Sequence, residues 1–284
     1  MFNRRKLLVA LGLVPASGFA ISNASAEAQL CEAAQQLGFR MPPQKLDISA
    51  LSAGVSVEPL RTKEVAQALQ ILFSTPGDGR PISIAGALAR LEAKNNDSEK
   101  YLYREEWPLK KRANPLICSF WGTTLSFPPK GDQTAWCAAF MNYCLVRSGY
   151  VGTDSGSSGS FRSLIDKPVD SGKEPETGDI TVFRIAGADG DLGQGHVGFY
   201  VSPNDASSDP NEAGKFWVQP QTKAAWSSER IFVLGGNQAG GVPGSTGGIK
   251  VSVFNKEPSS DDDLRLLGYV SIGSLEKTPP LFAG

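Results

Sequence analysis

The sequence predicts an α+β fold: helices in the first part of the chain, then an antiparallel sheet. Three observations predict it. Apolar residues recur at helical spacing in Thr62 to Phe73 (TKEVAQALQILF), where Val65, Leu69, Leu72 and Phe73 share one face and Thr62 is a candidate N-cap. A second helical segment runs from about Thr134 to Ser148, with Phe140, Met141, Cys144 and Leu145 on its buried side. Beyond it the period falls to two. Asp179–Ile185 (DITVFRI), His196–Val201 (HVGFYV), Lys215–Val218, Arg230–Leu234 (RIFVL), Ile249–Phe254 and Leu266–Ile272 read as strands, each bounded by Gly, Pro, Asp or Asn. Helices followed by closely spaced strands give a segregated α+β domain rather than a wound parallel sheet. With 31 Gly and 19 Pro, the elements should be short.

In chain order, residues 1–26 have the pattern of an export signal. Arg4, Arg5 and Lys6 precede an apolar run from Leu7, and Ala24-Ser25-Ala26 forms a small-residue cleavage site. The run, broken by Pro15 and Gly18, is short for a bilayer span of about 20 residues; an uncleaved anchor is the alternative. No later stretch is apolar enough to span, so no stable membrane insertion is expected once the signal is removed. Periplasmic or secreted localisation follows. Residues 27–103 form a helical accessory region, with a second helix at Ile82–Lys94. A separate small domain, a wall-binding module and packing for the main domain are all open roles for it. The main domain is residues 104–284. Within it, Asn114 to Trp121 reads as a short helix, and the Gly/Ser tract Gly152–Ser160 as either a flexible loop or the approach to a following short helix at Phe161–Ile165.

Charge excludes one class of partner. With 28 basic and 29 acidic residues the net charge is −1, and no basic run interleaves with aromatics, so nucleic acid is not expected to bind. Four cysteines and a single histidine do not make a zinc site, and Asp261-Asp262-Asp263 lacks ligand-spaced partners for calcium. No metal or other cofactor is expected. Cys137 and Cys144 on one helix lie about 10 Å apart, beyond the Cα separation of a disulfide, about 7 Å. Cys144 is left with Cys31 or Cys118 as partner, and Cys137 is free.

That free cysteine is the first candidate for chemistry. A thiol reacts as thiolate, and its pKa falls at a helix N-terminus. Cys137 opens a helix in DQTAWCAAF, with Asp132 or Thr134 as candidate cap. The one histidine, His196, begins an apolar strand behind the Gly-rich approach 187–195, where a base can face a cleft. Cysteine and histidine are the minimum pair for acyl transfer, and a third polar group commonly orients the imidazole. Asn237, at the end of strand Arg230–Leu234 in GGNQ, stands where such a residue would sit.

The strings TAWCAAFMNYCL, PETGDITVFR, GHVGFYV and VLGGNQ, in this order, resemble the NlpC/P60 and CHAP-type peptidoglycan hydrolases, in the subgroup with a WCAAF motif and a terminal GGNQ. REEWPLKKRANPLI resembles the lead-in helix of that subgroup, and the resemblance covers roughly Arg104 to Ile272. It implies a papain-like α+β fold with the nucleophile helix packed on the sheet. It also implies Cys137 as nucleophile, His196 as base and Asn237 as orienting residue, acting without metal on amide bonds of peptidoglycan stem peptides through a thioester. The backbone N–H of Cys137 would be one oxyanion donor, with Gln133 the weaker candidate for a second. Two other readings remain: an amidase or acyltransferase on a non-wall substrate, and a catalytically silent wall-binding protein.

Overall fold

The computed structural model describes residues 62–91, 103–107, 113–126, 131–187, 195–238 and 247–277. The export signal, Cys31 and the interiors of the two Gly-rich loops before His196 and after Asn237 lie outside the described residues.

Five α-helices are described: α1 Thr62–Phe73, α2 Pro81–Ala89, α3 Pro115–Phe120, α4 Cys137–Arg147 and α5 Pro220–Ala224. The strands are β1 Lys167–Pro168, β2 Ile180–Ile185, β3 Gly195–Val201, β4 Ala206–Ser207, β5 Phe216–Trp217, β6 Arg230–Gln238, β7 Gly248–Asn255 and β8 Leu264–Val270. Six of them form one sheet in the order β1-β8-β2-β3-β6-β7, every neighbouring pair antiparallel. The α+β class with an antiparallel sheet is therefore present.

Local chemistry sets the boundaries. Pro81 and Pro115 each occupy a first helical turn, where the missing N–H leaves no bond unmade. Asn114 caps α3: its Oδ1 accepts from the Leu116 N–H at 2.9 Å, and its Nδ2 donates to the carbonyls of Tyr103 and Glu105, each at 2.8 Å. α2 is buried nearly all round and stops at Ala89, short of the Lys94 end expected.

Three expectations are corrected. Lys215–Val218 does not join the sheet; only Phe216 and Trp217 are extended, pairing in parallel with Ala206–Ser207 beside it. β1 was not foreseen, because two residues cannot display a period; its Pro168 suits an edge, where no ladder N–H is required. The Gly152–Ser160 tract is not a free loop. The buried Asn142 of α4 donates to Ala138 O (3.0 Å), Thr153 Oγ1 (3.1 Å) and Ser155 O (2.9 Å), and accepts from the Thr153 N–H at 2.6 Å. A buried amide left unpaired is costly, so Asn142 and the tract hold each other in place. The chain then forms a 3-10 helix at Ser158–Leu164, which starts three residues ahead of the short helix expected at Phe161–Ile165.

The sheet has two unequal faces. One packs under the helices in a continuous core that runs from Leu69 and Leu72 of α1, through Ile82 and Leu88 of α2 and Phe120 of α3, to Phe140 and Met141 of α4. Val182, Val197, Phe199, Phe232, Leu234 and Val251 are its sheet side. The described part of the accessory region thus shares the core of α4. The opposite face carries a smaller cluster, Phe183, Ile231, Val233, Leu266 and Tyr269, against which Tyr200 and Phe254 pack.

Candidate active site

Cys137 is the first residue of α4, and Trp136 is its N-cap, with no side chain capping the helix. Neither Asp132 nor Thr134 takes that role. Asp132 lies in a separate 3-10 helix, Gly131–Gln133, and its carboxylate makes no cap bond to α4. Its buried Oδ2 instead accepts the N–H groups of Trp107 (2.9 Å) and Asn114 (2.8 Å), tying the segment that holds them to the approach of α4. The Gln133 amide donates to Trp107 O at 3.2 Å and Asp132 Oδ1 at 3.4 Å, so both recorded bonds are spent on this scaffold rather than on a cleft.

The Cys137 thiol is 4 % exposed, and the backbone N–H of Val197 hydrogen-bonds it. The helix start was expected to lower its pKa. Burial does the opposite and pushes it up to about 11, with the Val197 and helix N–H groups only partly offsetting that. The loss of water around a fully enclosed sulfur outweighs a helix-end interaction of about 0.3–1 kcal/mol.

His196 is the residue before Val197 on β3. Strand alternation therefore sends the two side chains to opposite faces. Val197 joins the core under α4, while the His196 ring stacks on Phe254 (5.3 Å between centroids, 18° between planes) and neighbours Phe183 at 6.4 Å. It is 7 % exposed, and burial lowers its pKa to about 4. Its recorded side-chain hydrogen bond joins Nε2 to Nε2 of Gln238 at 3.3 Å. No hydrogen bond links His196 to Cys137 or to Asn237 among the described residues. The structure thus places Cys137 and His196 on either side of one strand, as neutral thiol and neutral imidazole.

Asn237 lies inside β6 rather than past its end, at φ 56°. The pairing with β7 slips here: Gly235 faces Lys250 and Gln238 faces Gly248, so Gly236 and Asn237 together oppose Ile249. The Asn237 Oδ1 and Glu106 Oε1 both crowd the α-carbon of Gly247. Glu106 accepts from Trp136 Nε1 at 3.1 Å and donates its N–H to Gly247 O at 3.0 Å; burial is the main cause raising its carboxyl pKa. Gly236 leaves no room for a side chain, because a Cβ would overlap the Trp136 ring. Through it, β6 touches Trp136, the N-cap of α4.

Glu106 and Gln238 are polar residues near these elements that the sequence reading did not single out. Gln238 stood beside Asn237 in GGNQ, and the Gly-Gly-Asn preceding it is the composition of a bulge or turn. Cys118, Cys137 and Cys144 are all free and buried, so Cys144 and Cys118 are not joined to each other. Among the described residues no group of His, Cys, Asp and Glu is arranged to hold a metal, and no helix is long and apolar enough to cross a membrane. No family model, curated protein or solved structure matches the chain.

Proposed function

We propose that the chain is an exported cysteine hydrolase that cuts amide bonds in peptidoglycan peptides, on a fold related to the NlpC/P60 and CHAP enzymes. The observation that carries the reading is the placement of Cys137: a free cysteine as the first residue of a helix, its sulfur met by the backbone N–H of the residue that follows the only histidine. An N–H bond to sulfur favours the thiolate, and the helix start adds to it.

In the reaction the Cys137 thiol gives its proton to His196 as sulfur attacks the peptide carbonyl. The tetrahedral oxyanion is met by the Cys137 backbone N–H. The C–N bond breaks, the amine leaves with the proton from His196, and a thioester remains. Water, deprotonated by His196, then attacks the thioester; the acid departs and the thiol is restored. For these steps the backbone of β3 has to rearrange around His196, because the ring lies on the Phe254 face of the sheet and the sulfur on the helix face.

A second reading, a wall-binding protein without turnover, is favoured by a different observation: both groups are buried and neutral, and His196 is bonded to Gln238 instead of Cys137. Digestion of purified sacculi, followed by mass spectrometry, separates the two. New peptide termini made by the native protein and not by Cys137→Ala support the hydrolase. Binding to sacculi with no new termini overturns it.

A further inference from the structure

The bulge in β6 changes which residue meets the histidine. Along β6, Ile231 and Val233 lie on the His196 face, whereas Phe232 and Leu234 lie under the helices. Simple alternation continues this pattern to put Gly235 and Asn237 on the His196 face and Gln238 under α4. Two residues opposing Ile249 reverse the parity after Gly236. Asn237 absorbs the reversal in the left-handed region, which asparagine tolerates better than most residues. Gln238 then falls on the His196 face, 2 % exposed, close enough that a Cβ on Gly235 would lie 2.6 Å from its Nε2.

The orientation of this amide is fixed by its other neighbour. Nε2 of Gln238 donates to the Val233 carbonyl at 3.2 Å, a contact that only an N–H can make. Its second N–H points at Nε2 of His196 at 3.3 Å, which must therefore be the acceptor nitrogen. Oε1 of Gln238 is buried with no partner. The remaining side chains on the ring, Phe183 from β2 and Phe254 from β7, carry no titratable or charged group.

We infer that Gln238, and not Asn237, is the positioning residue for His196, and that it holds the resting imidazole as the Nδ1–H tautomer. The role of His196 as base rests on the proposed hydrolase; the Gln238–imidazole pair does not. With Nε2 engaged by an N–H and Nδ1 carrying the proton, the resting ring offers no lone pair to a thiol. Turning the amide over sets the partnerless Oε1 against Nε2–H and frees a lone pair at Nδ1, at the loss of the Val233 contact. Gln238 thus decides which ring nitrogen is basic.

The chain has one histidine, so its ring signals need no assignment. Long-range 1H–15N NMR on the full chain reads tautomer and titration together. The expected result is a neutral ring protonated at Nδ1, with a titration midpoint below that of a free histidine. Gln238→Glu, which places a carboxylate against Nε2, raises the midpoint by about one unit or more, and Gln238→Met removes the single-tautomer signature. Asn237→Gly, which removes the side chain and keeps the left-handed backbone of the bulge, leaves both unchanged. A native ring protonated at Nε2, indifference to both Gln238 variants, or a shift produced by Asn237→Gly overturns the inference. The native spectrum alone is decisive should a variant fail to fold. No turnover is involved, so a sacculus digestion without products refutes the hydrolase and leaves this test intact.

Discussion

The two faces of the central sheet differ in size and in kind. The helix face is a large apolar core that encloses a sulfur; the opposite face is a small aromatic patch that encloses an imidazole. A single peptide bond, between His196 and Val197, separates them. On the helix face burial keeps an acid protonated, and on the other it keeps a base unprotonated. Desolvation thus acts on both groups in the same sense, toward neutrality. A Cys–His pair in such surroundings rests inert until something rearranges one side of the strand.

The largest effect expected on this comparison is chemical. Cys137→Ala should lower the release of wall peptides by about 10⁴-fold or more, while circular dichroism stays unchanged because alanine fits the volume the thiol leaves. Residual activity of the native order would place the chemistry elsewhere.

Next in size is the response of the aromatic face to acid. The folded pKa of His196, about 4, lies below its ordinary 6.5, so between these values the unfolded chain binds the extra proton. Stability is therefore complete above pH 6.5 and falls as pH drops toward 4, by about 3 kcal/mol for a shift of this size. Urea unfolding at pH 7, 6, 5 and 4 should show this loss relative to His196→Gln, in which carboxylate titration remains and the histidine part is absent. Parallel curves for the two proteins would mean that His196 is not enclosed.

The join between the faces can be tested at Gly236. A methyl group there meets the Trp136 ring, and Gly236→Ala should cost about 2 kcal/mol, read as a lower denaturation midpoint. The smallest effect belongs to the bulge. Asn237→Gly should be close to neutral, whereas Asn237→Val, β-branched at positive φ, should cost about 1–2 kcal/mol. Equal stability of the two would argue against a left-handed residue at this position.

Much of this arrangement was legible in the chain. The 3.6 and 2.0 periods located α1, α4 and five of the six sheet strands, because each element has a buried face that its spacing records. Cys137 at a helix start and His196 at a strand start were read from the same patterns. What escaped depends on the backbone or on distant neighbours. The bulge at Gly236–Asn237 changes parity without changing composition, so the contact between Gln238 and His196 could not be read from spacing. The depression expected for the Cys137 thiol was reversed by burial contributed by α2, α3 and the sheet, none of which is local to the motif. The pinning of Gly152–Ser160 hangs on Asn142, a polar residue within a helix whose partners lie 11 to 13 positions away.

The place of β8 carries a consequence for how the molecule is made. This last strand of the sheet is inserted between β1 and β2, with the register Ile180↔Val270 to Ile185↔Leu264. A chain emerging from its N-terminus has β2 and β3 complete by Val201, whereas β8 begins only at Leu264, and β1 and the outer edge of β2 have no partner until then. Loop closure over some eighty residues precedes that pairing, and such long-range contacts slow folding. A chain truncated before Leu264 keeps every residue of the Cys137 and His196 sites and loses an inner strand, exposing β2 as an open edge prone to pairing with other chains.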